Sequence, residues 1–183
     1  MYPLYPLGGD RWVGPPRPAG GVGTFFCTGT AVKTTYIYGM ERVAGRLDGI
    51  HVLLVDDNED ARYILERVLH HHGALVITAA NAGAALAVME QVRPHVIITD
   101  MSMPGMDGLA LLARLHELPG QGERPTPVIA LTAFPADFAR RRALAAGFQT
   151  YLVKPVDPGV VVAEVERLAQ SGGAPVDPNQ RLY

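Results

Sequence analysis

Cysteine is almost missing from this chain: 183 residues include one, Cys27, beside a single tryptophan, Trp12. One thiol excludes an intrachain disulfide and a cysteine-built zinc site, and it points to a reducing, cytoplasmic setting. Charge is sparse, at 19% of residues, and nearly balanced, with a net of −2. That excludes a protein that grips nucleic acid by bulk positive charge. No apolar run approaches the ~20 residues of a membrane-spanning helix. The opening MYPLYPLGGDRWVGPPRP lacks the basic start and the continuous apolar stretch of a secretory signal. Apolar residues, in contrast, make up 48%, enough to build a core.

Glycine and proline are unevenly spread. Residues 1–49 hold ten of the 20 glycines and five of the 15 prolines. No periodic pattern lasts there. The composition predicts a flexible Gly/Pro-rich extension over 1–48, a folded unit over 49–170 and a flexible tail over 171–183. Within the extension, VGTFFCTGTAVKTTYIYG suits a short strand or hairpin as the alternative to a disordered leader, and Met40 offers a second start. The extension carries a net of +2 and residues 50–183 a net of −4.

From residue 50 the pattern is regular. HVLLVD (51–56) and HVIITD (95–100) are apolar runs that end in acid, the mark of strands buried on both faces. ALVITAA (74–80), VIALT (128–132) and TYLV (150–153) read as three more strands. Between them lie amphipathic stretches. Ala61, Ile64, Leu65, Val68 and Leu69 form one helical stripe, stopped at Gly73. Asn81 and Asp107 stand where caps are needed, Pro135 to Ala146 forms a fourth helix, and Asp157-Pro158 opens a fifth. Strict alternation of five strands and five helices implies an α/β fold, a doubly wound parallel sheet covered on both sides.

Ligands bind such sheets at the carboxyl ends of the strands. Asp56 and Asp57 end the first strand, Asp100 the third, Thr132 the fourth, and Lys154 the fifth. Two carboxylates about 4 Å apart repel by roughly 4 kcal/mol at an effective dielectric near 20. A divalent cation relieves this, and oxygen-only ligands select Mg²⁺. A metal and a lysine aimed at one carboxylate suit phosphoryl transfer. Any one of these acids alone reads as a helix cap. Five such groups at the ends of four strands do not.

The segments LLVDDNEDAR (53–62), IITDMSMPGMDG (97–108), LTA (131–133) and YLVKP (151–155) resemble the response regulator receiver domain of two-component signalling. The resemblance spans about 50–170. It implies a flavodoxin-like sheet of order 2-1-3-4-5 with five flanking helices. It implies Asp100 as phosphoacceptor, with Asp56, Asp57, Asp100 and the Ser102 backbone carbonyl holding Mg²⁺. Thr132 is implied to bond the phosphoryl group, Lys154 to pair with it across a cis bond to Pro155, and Tyr151 to be the aromatic switch. Such a protein is a phosphoacceptor switch rather than an enzyme acting on a separate substrate.

The implied partners are a sensor histidine kinase or a histidine phosphotransfer protein. An output protein would bind the face of the fourth helix, fifth strand and fifth helix. No direct nucleic-acid or membrane contact is implied, and a phosphorylation-dependent homodimer stays open. Ser102 and Phe134 flank the site, where Phe134 would shield an acyl phosphate from water and Ala133 would leave the donor room.

Weaker features take plain readings. His70, His71 and His72 end the first helix as a solvated trio, Arg140, Arg141 and Arg142 form a solvated basic face, and Met101, Met103 and Met106 pack locally. Alternatives are the C-terminal receiver of a hybrid histidine kinase, a phosphorelay intermediate, a flavodoxin-like redox protein and a metal-dependent phosphatase. Residues 1–49 hold no kinase module. A flavin phosphate would need Gly/Ser/Thr donors after the first strand, where Asp56-Asp57-Asn58-Glu59 stands.

Overall fold

Seven strands and five helices follow one another in the computed structural model, which describes residues 23–27, 30–34, 45–118, 125–135 and 137–171. The predicted Met40 start, the rest of the extension and the tail beyond Ser171 lie outside the described residues. A short antiparallel hairpin, β1 (Gly23–Cys27) and β2 (Thr30–Thr34), comes first and pairs Phe25 with Val32. It is the hairpin that the aromatic stretch allows.

The main sheet has five parallel strands: β3 (His51–Val55), β4 (Leu75–Ala79), β5 (Val96–Asp100), β6 (Val128–Thr132) and β7 (Thr150–Val153). Their order is β4-β3-β5-β6-β7, so the order reverses between β3 and β5. This is the doubly wound 2-1-3-4-5 arrangement. β5 and β6 are buried along their whole length because helices cover both faces, which is why their sequences are continuously apolar rather than alternating.

The helices are α1 (Glu59–His71), α2 (Ala82–Met89), α3 (Gly108–Glu117), α4 (Asp137–Ala146) and α5 (Pro158–Ser171). Asn58, Asn81 and Asp107 cap the first three through side-chain oxygens that accept from the amides of Ala61, Ala84 and Ala110. One core layer joins Leu53, Ile97 and Ala130 to α2 and α3, and the other joins Leu54, Ile98 and Leu131 to α1 and α5.

Residues 45–48, placed by composition in the extension, pack on this body. Leu47 is fully buried, and its amide donates to the His72 carbonyl. Asp48 presses so closely on Gly73 (φ +97°) that a Cβ there would strike its carboxylate. Arg46 pairs with Glu166 on α5. A glycine-flanked turn hid this one core leucine from a reading by composition.

The solvated reading of the three histidines needs correction. His71 is exposed, but His70 and His72 are half-buried. His70 Nδ1 lies 3.0 Å from the Ala74 carbonyl. That contact holds the His70 ring against the turn that leads from α1 into β4. Met103 is buried, and Met101 and Met106 pack beside it on the α2–α3 side. Arg140, Arg141 and Arg142 are exposed on α4.

Candidate functional site on the carboxyl rim

Strand register builds the rim. Val55 lies level with Thr99, which sets Asp56 level with Asp100. Asp100 faces Leu131 across the next ladder, so Thr132 stands one step higher. Thr132 faces Val153, so Lys154 stands one step higher again. The lysine is thereby set to reach back over the sheet.

It does so. Lys154 Nζ lies 2.6 Å from Asp100 Oδ1 and 2.8 Å from Asp56 Oδ2. Asp56 is fully buried and Asp100 nearly so. The other carboxylate oxygens accept from backbone amides, Asp56 Oδ1 from Asn58 and Asp100 Oδ2 from Ser102. Burial by itself pushes the Lys154 ammonium down. Hydrogen bonds to Asp100 and Asp56, with their charges, outweigh it and hold the group above its ordinary value. Lys154 and Pro155 are joined by a cis peptide bond.

Asp57 is not drawn into this trio. It is exposed in the turn before α1, and among the described residues no three acidic, histidine or cysteine groups stand close enough to hold a metal ion. The donor chemistry nevertheless fits a hard divalent cation. Two buried carboxylates and Asp57 beside them face a single ammonium, which leaves two negative charges unbalanced, and every donor is oxygen.

Thr132 is buried, and its hydroxyl oxygen accepts from the Phe134 amide at 3.1 Å. Tyr151 is half-buried, and its hydroxyl donates to the Phe134 carbonyl at 2.7 Å. The β6–α4 loop is therefore fastened at one residue to both β6 and β7. The Phe134 ring itself stands out in solvent, 63% exposed, with Ala133 exposed beside it.

Sequence reasoning missed two contributors. Arg62 on α1 donates from Nη1 to the Asp56 carbonyl at 2.6 Å and ties the helix to the rim. Its only signal was a position one turn past the Asn58 cap. Gly108 opens α3 so near the rim that a Cβ would lie 2.8 Å from the Asp100 carbonyl oxygen.

The family model of the response regulator receiver domain matches residues 52–166. The chain is 40% identical over 116 residues to the DNA-binding transcriptional regulator NtrC of Salmonella typhimurium, covering 63% of this chain and 24% of that protein. It is 33% identical over 130 residues to the sensory/regulatory protein RpfC of Xanthomonas campestris, covering 71% of this chain and 18% of that one. These two relatives are thus matched over a quarter of their length or less. Among solved structures, the chemotaxis response regulator CheY4 of Vibrio cholerae superposes with a TM-score of 0.60 at 30% identity, over 65% of this chain and 98% of that one. Among the described residues no helix is long and apolar enough to cross a membrane. Family match, strand order and rim geometry agree: this chain belongs to the response regulator receiver domain family.

Proposed function

We propose that this chain is a single-domain response regulator that takes a phosphoryl group onto Asp100 from the phosphohistidine of a sensor histidine kinase or a histidine phosphotransfer protein. The observation that carries the reading is the Lys154 ammonium held between Asp56 and Asp100. A carboxylate oxygen of Asp100 attacks phosphorus. The P–N bond to the donor imidazole breaks, and its electron pair returns to the nitrogen, which takes a proton. Lys154 neutralises charge on the arriving group, and the Ser102 amide orients the acceptor. Asp56, Asp57, Asp100 and the Ser102 carbonyl would hold Mg²⁺, which supplies charge neutralisation for the phosphoryl oxygens. Hydrolysis of the P–O bond by water resets Asp100.

The new phosphoryl oxygens accept from the Thr132 hydroxyl, and its movement toward them draws the hydroxyl oxygen away from the Phe134 amide that donates to it. Freeing that loop also frees the Tyr151 hydroxyl from the Phe134 carbonyl. The packing of α4, β7 and α5 is thereby biased toward a second arrangement that an output protein reads. The folded unit is proposed to act in the cytoplasm.

The likeness to RpfC favours one further reading, the receiver of a hybrid kinase, which an open frame upstream encoding a kinase module would establish. The central test is incubation with acetyl phosphate and Mg²⁺ followed by intact mass. Wild type gains one phosphoryl mass and Asp100→Asn gains none. The same gain in the mutant overturns the acceptor assignment.

A further inference from the structure

Helix α2 reads AGAALAVM and has no polar or charged side chain, whereas each of the other four helices carries charge. Five of its eight residues are buried although it lies on the outside of the sheet. Beside it runs β4, LVITA, an edge strand without charge or proline. Exposed edges of this kind pair with other chains unless charge, proline, a bulge or a cover blunts them. The opposite edge, β7, differs: Thr150 joins Glu164 and Arg167 there, and Lys154-Pro155 follows directly.

Two observations identify what covers the β4–α2 corner. The hairpin strand β2 lies against both β4 and α2 without joining their ladder. Independently, the chain enters the body at Gly45–Leu47, which is bonded to His72, three residues before β4 begins. The hairpin is thus tethered beside β4 by the ten residues 35–44, and a short tether makes docking there intramolecular. We infer that the hairpin strands β1 and β2 are a built-in cover for the β4–α2 corner. They occupy the surface on which a second copy of this chain would otherwise add its own edge.

The inference does not rest on the phosphoacceptor reading, and neither of its tests involves phosphate. Cys27 in β1 is the single thiol, so a nitroxide attached to it labels the full chain at one place. NMR should show strong broadening of β4 and α2 amides, with β7 and α5 spared. Sparing of β4 and α2 overturns the inference. So does broadening that disappears when labelled chain is diluted into unlabelled chain, because the cover then comes from a second copy. Val32→Pro, which removes a β2 amide, should speed hydrogen exchange in β4 at least about fivefold and increase self-association. Unchanged β4 exchange in a variant whose hairpin is lost overturns it too.

Discussion

Strands β3 and β5 carry a pair of ionisable groups at each end, and the two ends treat them oppositely. At the carboxyl end, Asp56 and Asp100 are buried around the Lys154 ammonium, 2.8 and 2.6 Å away. At the amino end, His51 and His95 meet edge to face, with ring centroids 5.1 Å apart. The His51 amide donates to His95 Nδ1, and the His95 amide to the His51 carbonyl. Burial, and then the charge of His95, lower the His51 imidazole to about 4, and burial lowers His95. One rim collects charge and keeps it poised for more. The other suppresses charge and locks the strand starts. The two ends also differ in depth: Asp56 and Asp100 are buried and keep their charge beside the Lys154 ammonium, whereas His51 is half-buried and His95 exposed.

The sharpest way to break this contrast is to remove that counterion. Lys154→Met should destabilise the fold by about 3–5 kcal/mol at neutral pH, because it leaves two carboxylates buried together. Part of the loss should return as the pH falls or Mg²⁺ is added. Urea denaturation at several pH values reads this directly, and an unchanged midpoint would show that the rim does not depend on Lys154.

The histidine rim predicts a weaker, acid-side effect. The unfolded imidazole takes its proton near 6.5, while folded His51 takes it only at about 4. Between these values the unfolded chain holds more protons, so stability is complete above pH 6.5 and is lost as the pH falls toward about 4. His51→Gln should flatten this part of the profile; a curve identical to wild type would assign the acid loss elsewhere. The smallest effect belongs to Tyr151→Phe, which removes one hydrogen bond to the Phe134 carbonyl. It should cost about 1 kcal/mol or less while altering the α4–β7 packing, seen as shifted α4 amide signals.

Much of the carboxyl rim was legible in one dimension. Apolar runs ending in Asp56 and Asp100, a run ending in Thr132, and TYLV followed by Lys154 are all strand ends, and a parallel sheet brings strand ends to one side. The caps at Asn81 and Asp107 were legible for a local reason, since a cap acts within three residues. The amino rim was not legible. His51 and His95 are 44 residues apart and look like ordinary strand starts. Leu47 hid in a glycine-flanked turn, and Arg62 looked like one more exposed helical charge.

By itself, the sequence determined the alternation of elements and the kinds of groups the rim displays, because periodicity and capping are local. Only the tertiary structure decided which of the neighbours Asp56 and Asp57 is buried and which faces water. It alone decided that one lysine serves two acids and that two distant histidines meet at the opposite rim. Those outcomes depend on register and on depth from solvent, and neither quantity exists until strands far apart in the chain lie side by side.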